Sequence, residues 1–114
     1  MELLIVDDNP NFRHLLKRFL EGDGLDFYEC ENGAQAVAAY RKHRPDRVLM
    51  DIEMSEMDGL TATQLILADD PAAYIVIVTQ HDETHWREAA VMAGARAFVA
   101  KEDLFALRAA IGVD

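Results

Sequence analysis

Short apolar runs alternate with stretches of helical periodicity from one end of the 114-residue chain to the other. This alternation leaves few folds open. Leu3 to Val6 is the first run and ends in acids. Asn9 then reads as a helix N-cap and Pro10 as the first helical residue. Phe12, Leu15, Leu16, Phe19 and Leu20 recur at helical spacing, and Gly22 and Gly24 stop the helix. Leu25 to Cys30 reads as a second strand. Asn32-Gly33 opens a second helix that runs through Val37 and Tyr40 and ends before Pro45. Arg47 to Asp51 is a third strand. Asp58-Gly59 leads into a helix holding Leu60, Leu65 and Ile66, closed by Pro71. Tyr74 to Val78 is wholly apolar and rich in β-branched residues, the pattern of a strand buried on both faces. A fourth helix is expected from about Glu83 to Ala93, closed by Gly94. Ala97 to Ala100 is a fifth strand. The last helix begins near Glu102 or Asp103 and carries Leu104, Leu107 and Ile111.

Strand followed by helix, five times over, implies parallel strands joined by right-handed crossovers, with helices on both faces. The expected fold is α/β, a flavodoxin-like (βα)5 doubly wound parallel sheet of strand order 2-1-3-4-5. One domain spans residues 1–114, with no output domain expected in this chain. Ligands bind such sheets at the carboxyl ends of the strands. Strand one ends in Asp7-Asp8, strand three in Asp51 with Glu53 just beyond, strand four in Thr79 and strand five in Lys101.

The charges come first. Two unit charges roughly 4 Å apart at an effective dielectric of about 20 cost about 4 kcal/mol. A cluster of Asp7, Asp8 and Asp51 therefore either keeps a proton or binds a cation. An all-oxygen site suits a hard cation, and Mg²⁺ (or Mn²⁺) fits best, because it keeps waters and an open position for phosphate. A carboxylate can attack a phosphoryl donor and form an acyl phosphate. The metal and a lysine neutralise charge on the transferring oxygens, and a hydroxyl donates to them. Asp51, the acid pair, Lys101 and Thr79 supply those groups.

With these residues in place, the chain resembles the response-regulator receiver-domain family over essentially its whole length. The matching marks are Asp7-Asp8, Leu49-Met50-Asp51 followed by Met57-Asp58-Gly59, Thr79 after an apolar strand, and Lys101 after Phe98-Val99-Ala100. Each is weak alone; in this order, on these strand ends, they are specific. The resemblance implies that Asp51 is the phosphoacceptor and that Asp8 and Asp51 bind Mg²⁺ directly. Asp7 would act through water, and the backbone carbonyl of Glu53 would complete the protein ligands. Lys101 would pair with the phosphoryl group. Thr79 would move to hydrogen-bond it, and Phe98 would turn inward as the space behind Thr79 opens. The donor would be a phosphohistidine on a sensor histidine kinase or a histidine phosphotransfer protein. A homodimer through helix 4, strand 5 and helix 5 is the family's frequent mode. Lys101-Glu102-Asp103-Leu104 also resembles receivers that carry a helix-turn-helix output domain.

Four positions depart from the family's usual pattern. Ser55 stands where proline is frequent, which loosens the loop after Asp51. Glu102 follows Lys101 where a cis proline is usual; a non-proline cis bond costs about 2.5–4 kcal/mol, so a trans bond is expected. Gln80 replaces a small residue and would narrow access to Asp51. Glu53 occupies a position exposed to the attacking water. Gln80, Glu53 and the neighbouring His81 are candidate tuners of the rates at which Asp51 gains and loses phosphate.

Composition narrows the function classes. Half of the residues are hydrophobic (51%), enough for a sizeable core and against a disordered tail. The formal net charge of -10 repels phosphate backbones, so direct nucleic-acid binding is not expected. A single cysteine, Cys30, excludes an internal disulfide and is read as a small hydrophobe in strand two. The start lacks a basic leader, and no apolar run approaches membrane-spanning length, so a cytoplasmic protein without a membrane segment is the expectation. His81-Asp82-Glu83-Thr84-His85 superficially matches the H-E-x-x-H zinc pattern, but its Glu is one place off. Trp86 is either a partner anchor or a cover for the edge of the core.

The main rival is a Mg²⁺-dependent haloacid-dehalogenase-like phosphohydrolase, which also uses an Asp nucleophile, a Thr or Ser and a Lys. Glu53 even sits where that class places its acid/base. Against it, that class puts its nucleophile on the first motif strand, needs an Asp at the second following position and usually needs a longer chain with a cap. A flavodoxin-like cofactor binder is opposed by the lack of a Gly-rich phosphate loop after strand one. A degenerate receiver that signals without phosphate is opposed by the intact Asp51, Lys101 and Thr79.

Overall fold

Every apolar run forms a strand and every periodic stretch a helix in the computed structural model, which describes residues 1–22, 24–80 and 84–113. The elements are β1 (Glu2–Val6), α1 (Pro10–Leu20), β2 (Asp26–Cys30), α2 (Gly33–His43), β3 (Arg47–Met50), α3 (Gly59–Asp69), β4 (Ile75–Thr79), α4 (Thr84–Ala93), β5 (Ala97–Ala100) and α5 (Leu104–Ile111). All strand pairs are parallel, in the order β2-β1-β3-β4-β5. The expected flavodoxin-like topology is therefore the one observed.

The alternating side chains of the strands feed two cores. Leu4, Val6, Val48, Met50, Ile75 and Ile77 face α2, α3 and α4, where they meet Val37, Ala62 and Ile66. Leu3, Ile5, Leu49, Val76 and Val78 face α1 and α5, where they meet Leu16, Leu20, Leu107 and Ile111. All of β4 is buried, as its unbroken apolar run implied. Each such Leu or Ile, withdrawn from water, contributes roughly 1.5–3 kcal/mol before the entropy of ordering is charged against it. Among the described residues, no helix is long and apolar enough to cross a membrane.

The helix ends are set by local chemistry. Asn9 caps α1, its Oδ1 accepting from the N–H groups of Asn11 and Phe12 at 2.9 and 3.3 Å. Asn32, Asp58 and Asp103 cap α2, α3 and α5 in the same way. Some expectations shift. The ladder of β3 ends at Met50, leaving Asp51 just beyond it, whereas β4 ends at Thr79 as expected. Leu65 projects from α3 and is exposed, while Ile66 is buried. The expected start of α4 at Glu83, like His81 and most of the zinc-like segment, falls outside the described residues.

The loop from Asp51 to Asp58 folds back on itself. Gly59 N–H donates to the Ile52 carbonyl at 2.8 Å, and Gly33 N–H donates to that of Met57 at 3.0 Å. A Cβ on Gly59 would overlap the carbonyl oxygen of Asp51 and crowd Met50. Glycine at 59 is thus what lets α3 begin against the end of β3. Gly59→Ala should destabilise by about 1–3 kcal/mol through overpacking, read as a fall in Tm of roughly 4–8 °C per kcal/mol for a chain of this size. An unchanged Tm would contradict the close approach.

Candidate functional site

The parallel register brings the chemistry together. Val6 lies between Cys30 of β2 and Met50 of β3, so Asp7 and Asp51 leave the sheet side by side. Their backbones stay tied to it: Asp7 N–H donates to the Cys30 carbonyl at 3.1 Å, and Asp51 N–H to that of Val6 at 3.0 Å. Thr79 pairs with Ala100, and Lys101 N–H donates to the Thr79 carbonyl at 2.9 Å, which brings the lysine to the same edge.

Asp7, Asp8 and Asp51 each offer a carboxylate oxygen within 4.8 Å of the others. Asp7 and Asp51 are buried and Asp8 is exposed. Lys101 Nζ lies 2.8 Å from Asp7 Oδ2 and 3.3 Å from Asp51 Oδ2. The other oxygens also have partners. Asp7 Oδ1 accepts from Asn9 N–H and Asp51 Oδ1 from Ile52 N–H, both at 2.9 Å. Arg13 Nη1 donates to the Asp7 carbonyl at 2.7 Å, pinning the acid pair to α1.

Burial, and then the charge of Asp7, push the Asp51 carboxyl above the usual carboxylate range, against the opposing pull of Lys101 and the Ile52 N–H. Burial works against the Lys101 ammonium, but the hydrogen bond to Asp7 and the fields of Asp51 and Asp7 outweigh it and raise its affinity for the proton. Three carboxylates facing one ammonium leave the cluster short of positive charge. The donors are hard oxygens only, the set that suits Mg²⁺ or Mn²⁺.

The acids open onto a polar cleft of ≈ 230 Å³ lined by Asp8, Asn9, Asp51, Glu53, Gln80 and Lys101. Gln80 and Glu53 are exposed at this cleft, where the sequence put them. Thr79 is fully buried and does not line it. Phe98, opposite Ile77, is half-buried with the Arg87 guanidinium 4.7 Å from its ring centroid. The bond from Lys101 to Glu102 is trans, as expected, and the lysine nonetheless reaches Asp51. Trp86 is half-buried and packs against the core, with His85 beside it. Cys30 is buried, and burial pushes its thiol up to about 11, which fits a packing role. Sequence reasoning missed Arg13 and the cleft-facing side of Asn9. A cation one turn into a helix that starts directly after the acid pair was the available signal.

Comparison with known proteins identifies the family and the fold. The family model described as the response regulator receiver domain matches residues 3–111. The Chemotaxis protein CheY of Bacillus subtilis is 42% identical over 100 residues, covering 87% of this chain and 83% of the relative. A LuxR-family two-component response regulator from Aurantimonas superposes with a TM-score of 0.87 at 32% identity, covering 96% of this chain and 84% of that one. A chain of the CheX-CheY-BeF3-Mg complex from Borrelia burgdorferi superposes with a TM-score of 0.89 at 23% identity, covering 100% and 90%, and shares the fold.

The raised Asp51 affinity has a measurable consequence without metal. The folded state holds that proton more tightly than the unfolded chain, so stability is greatest below the unfolded value and is lost as pH rises through the folded one. Asp51→Asn removes this loss. At pH 7 without metal the variant should melt above the wild type, by roughly 4–8 °C for relief on the order of 1 kcal/mol. The gap should close as pH falls below about 4. A lower Tm, or a gap independent of pH, would contradict the electrostatic account.

Proposed function

The chain belongs to the response regulator receiver domain family, and from that premise we propose that Asp51 accepts a phosphoryl group in a two-component signalling system. The observation that carries this reading is Asp51 itself, buried beside two further aspartates and 3.3 Å from the Lys101 ammonium at the carboxyl edge of a parallel sheet. An Asp51 oxygen attacks phosphorus in line, the bond to the donor imidazole nitrogen breaks, and the electron pair leaves with that nitrogen. The donor is a phosphohistidine on a sensor histidine kinase or a histidine phosphotransfer protein.

Each residue has a role in this reading. Asp8, Asp51 and the backbone carbonyl of Glu53 would hold Mg²⁺ or Mn²⁺, and Asp7 would act through water. When bound, the metal supplies neutralising charge to the transferring oxygens. Lys101 pairs its ammonium with the phosphoryl oxygens. The hydroxyl of Thr79 turns to donate to them, and Phe98 fills the space it leaves. Gln80, Glu53 and His81 tune the rates. The output face is α4, β5 and α5, and it also serves a homodimer. Val91 and Met92 of α4 and Phe105 of α5 support this, being large apolar side chains left 71%, 86% and 84% exposed. The formal charge of -10 weighs against nucleic acid as a direct partner. The protein acts in the cytoplasm as a signalling domain whose only catalysis is its own phosphorylation and dephosphorylation.

The test is incubation with a small phosphoryl donor and Mg²⁺. Wild type should take up one acid-labile phosphate per chain, Asp51→Asn none, and Lys101→Ala should react on the order of 10²-fold more slowly, as for loss of one charge-stabilising group. Multiple turnovers of a phosphate ester would instead favour the dehalogenase-like hydrolase. Gln80→Ala should react faster than wild type with acetyl phosphate, and equal rates would remove the role of Gln80 as a gate.

A further inference from the structure

The Lys101 ammonium has a neighbour outside the acid cluster. Its Nζ sits over the face of the Phe12 ring, 4.4 Å from the centroid. The ring belongs to a fixed element. Phe12 is in the first turn of α1, its N–H donates to the capping Asn9 at 3.3 Å, and its side chain packs against the core shared by α1 and α5. The lysine is the adaptable partner, a flexible four-carbon stem carrying a point charge. Glu102 follows it, so the backbone there lacks the fixed φ that a proline would impose.

We infer that Phe12 is a positioning residue for Lys101, its ring face holding the ammonium beside Asp51. The role rests on the reading of Asp51 as phosphoacceptor. An aromatic face attracts a cation through its quadrupole, more strongly where water is largely excluded. Here the Lys101 side chain is only 17% exposed. The two carboxylates also attract it, but they are shared. Asp7 is the nearer at 2.8 Å and Asp51 the farther at 3.3 Å, and a cation bound to the acids draws on the same oxygens. The ring has no oxygen to give up to a metal, so a metal bound to the acids would leave its hold on the lysine in place. It narrows the positions open to the lysine to those within reach of the acceptor, which raises the fraction of encounters that find the ammonium in place.

A double-mutant cycle separates this role from a general effect on α1. Phosphorylation rates with phosphoramidate at saturating Mg²⁺ are compared for wild type, Phe12→Leu, Phe12→Tyr, Lys101→Ala and the Phe12→Leu/Lys101→Ala pair, with Mg²⁺ affinity measured by calorimetry. Phe12→Leu keeps apolar volume and loses the ring; it should react about five-fold more slowly, the size expected for a partly desolvated cation–π contact. Phe12→Tyr keeps the face and should stay within about two-fold of wild type. The double variant should match Lys101→Ala, and Mg²⁺ affinity should not move. A Phe12→Leu rate equal to wild type overturns the inference, as does the same slowing in the Lys101→Ala background. If the wild type takes up no phosphate at all, the acceptor reading falls, and this role of Phe12 falls with it.

Discussion

Three carboxylates held together at one edge of a sheet are the constraint on which the rest of this structure turns. Asp7, Asp8 and Asp51 lie within 4.8 Å of one another and share one nearby ammonium. In isolation such crowding drives the acids apart or neutralises one of them. The fold prevents the first outcome. The backbones of Asp7 and Asp51 are hydrogen-bonded into neighbouring strands, and Arg13 grips the Asp7 carbonyl. Burial first, and the charge of Asp7 second, then raise the proton affinity of Asp51. A divalent cation is the natural relief for an all-oxygen cluster of this kind.

The packing explains how so costly a cluster is kept in place. Two apolar cores clamp the central strands from both sides, with β4 buried throughout. Parallel pairing sets Val6 opposite Met50 and Thr79 opposite Ala100, which carries Asp7, Asp51 and Lys101 to one edge. Gly59 lets the loop after Asp51 close tightly. Farther from the acids, the edge of the sheet is also packed. Thr79 is buried next to β5, and Phe98 lies half-buried under Arg87 on α4.

Much of this was legible in the sequence, for identifiable reasons. Burial on both faces of parallel strands demands unbroken apolar runs, so Leu3–Val6 and Tyr74–Val78 marked the sheet, and the alternation with helices gave its order. The rule that ligands sit at carboxyl ends then selected Asp7, Asp8, Asp51, Thr79 and Lys101. What stayed hidden depends on side-chain torsions and on pairs far apart in the chain. Helical spacing marks Phe12 as core, and nothing local says that its ring face meets a lysine just beyond β5. Nor does spacing reveal that Lys101 approaches Asp7 more closely than Asp51, that Arg13 reaches back to Asp7, or that Leu65 points outward.

The identity of the residue carrying the phosphoryl group tests the central claim most directly. Borohydride reduces an acyl phosphate of aspartate to homoserine, which peptide mass spectrometry then locates. The account predicts homoserine at position 51 and nowhere else. Homoserine at position 8 or 58, or a phosphate found on histidine instead, would contradict it.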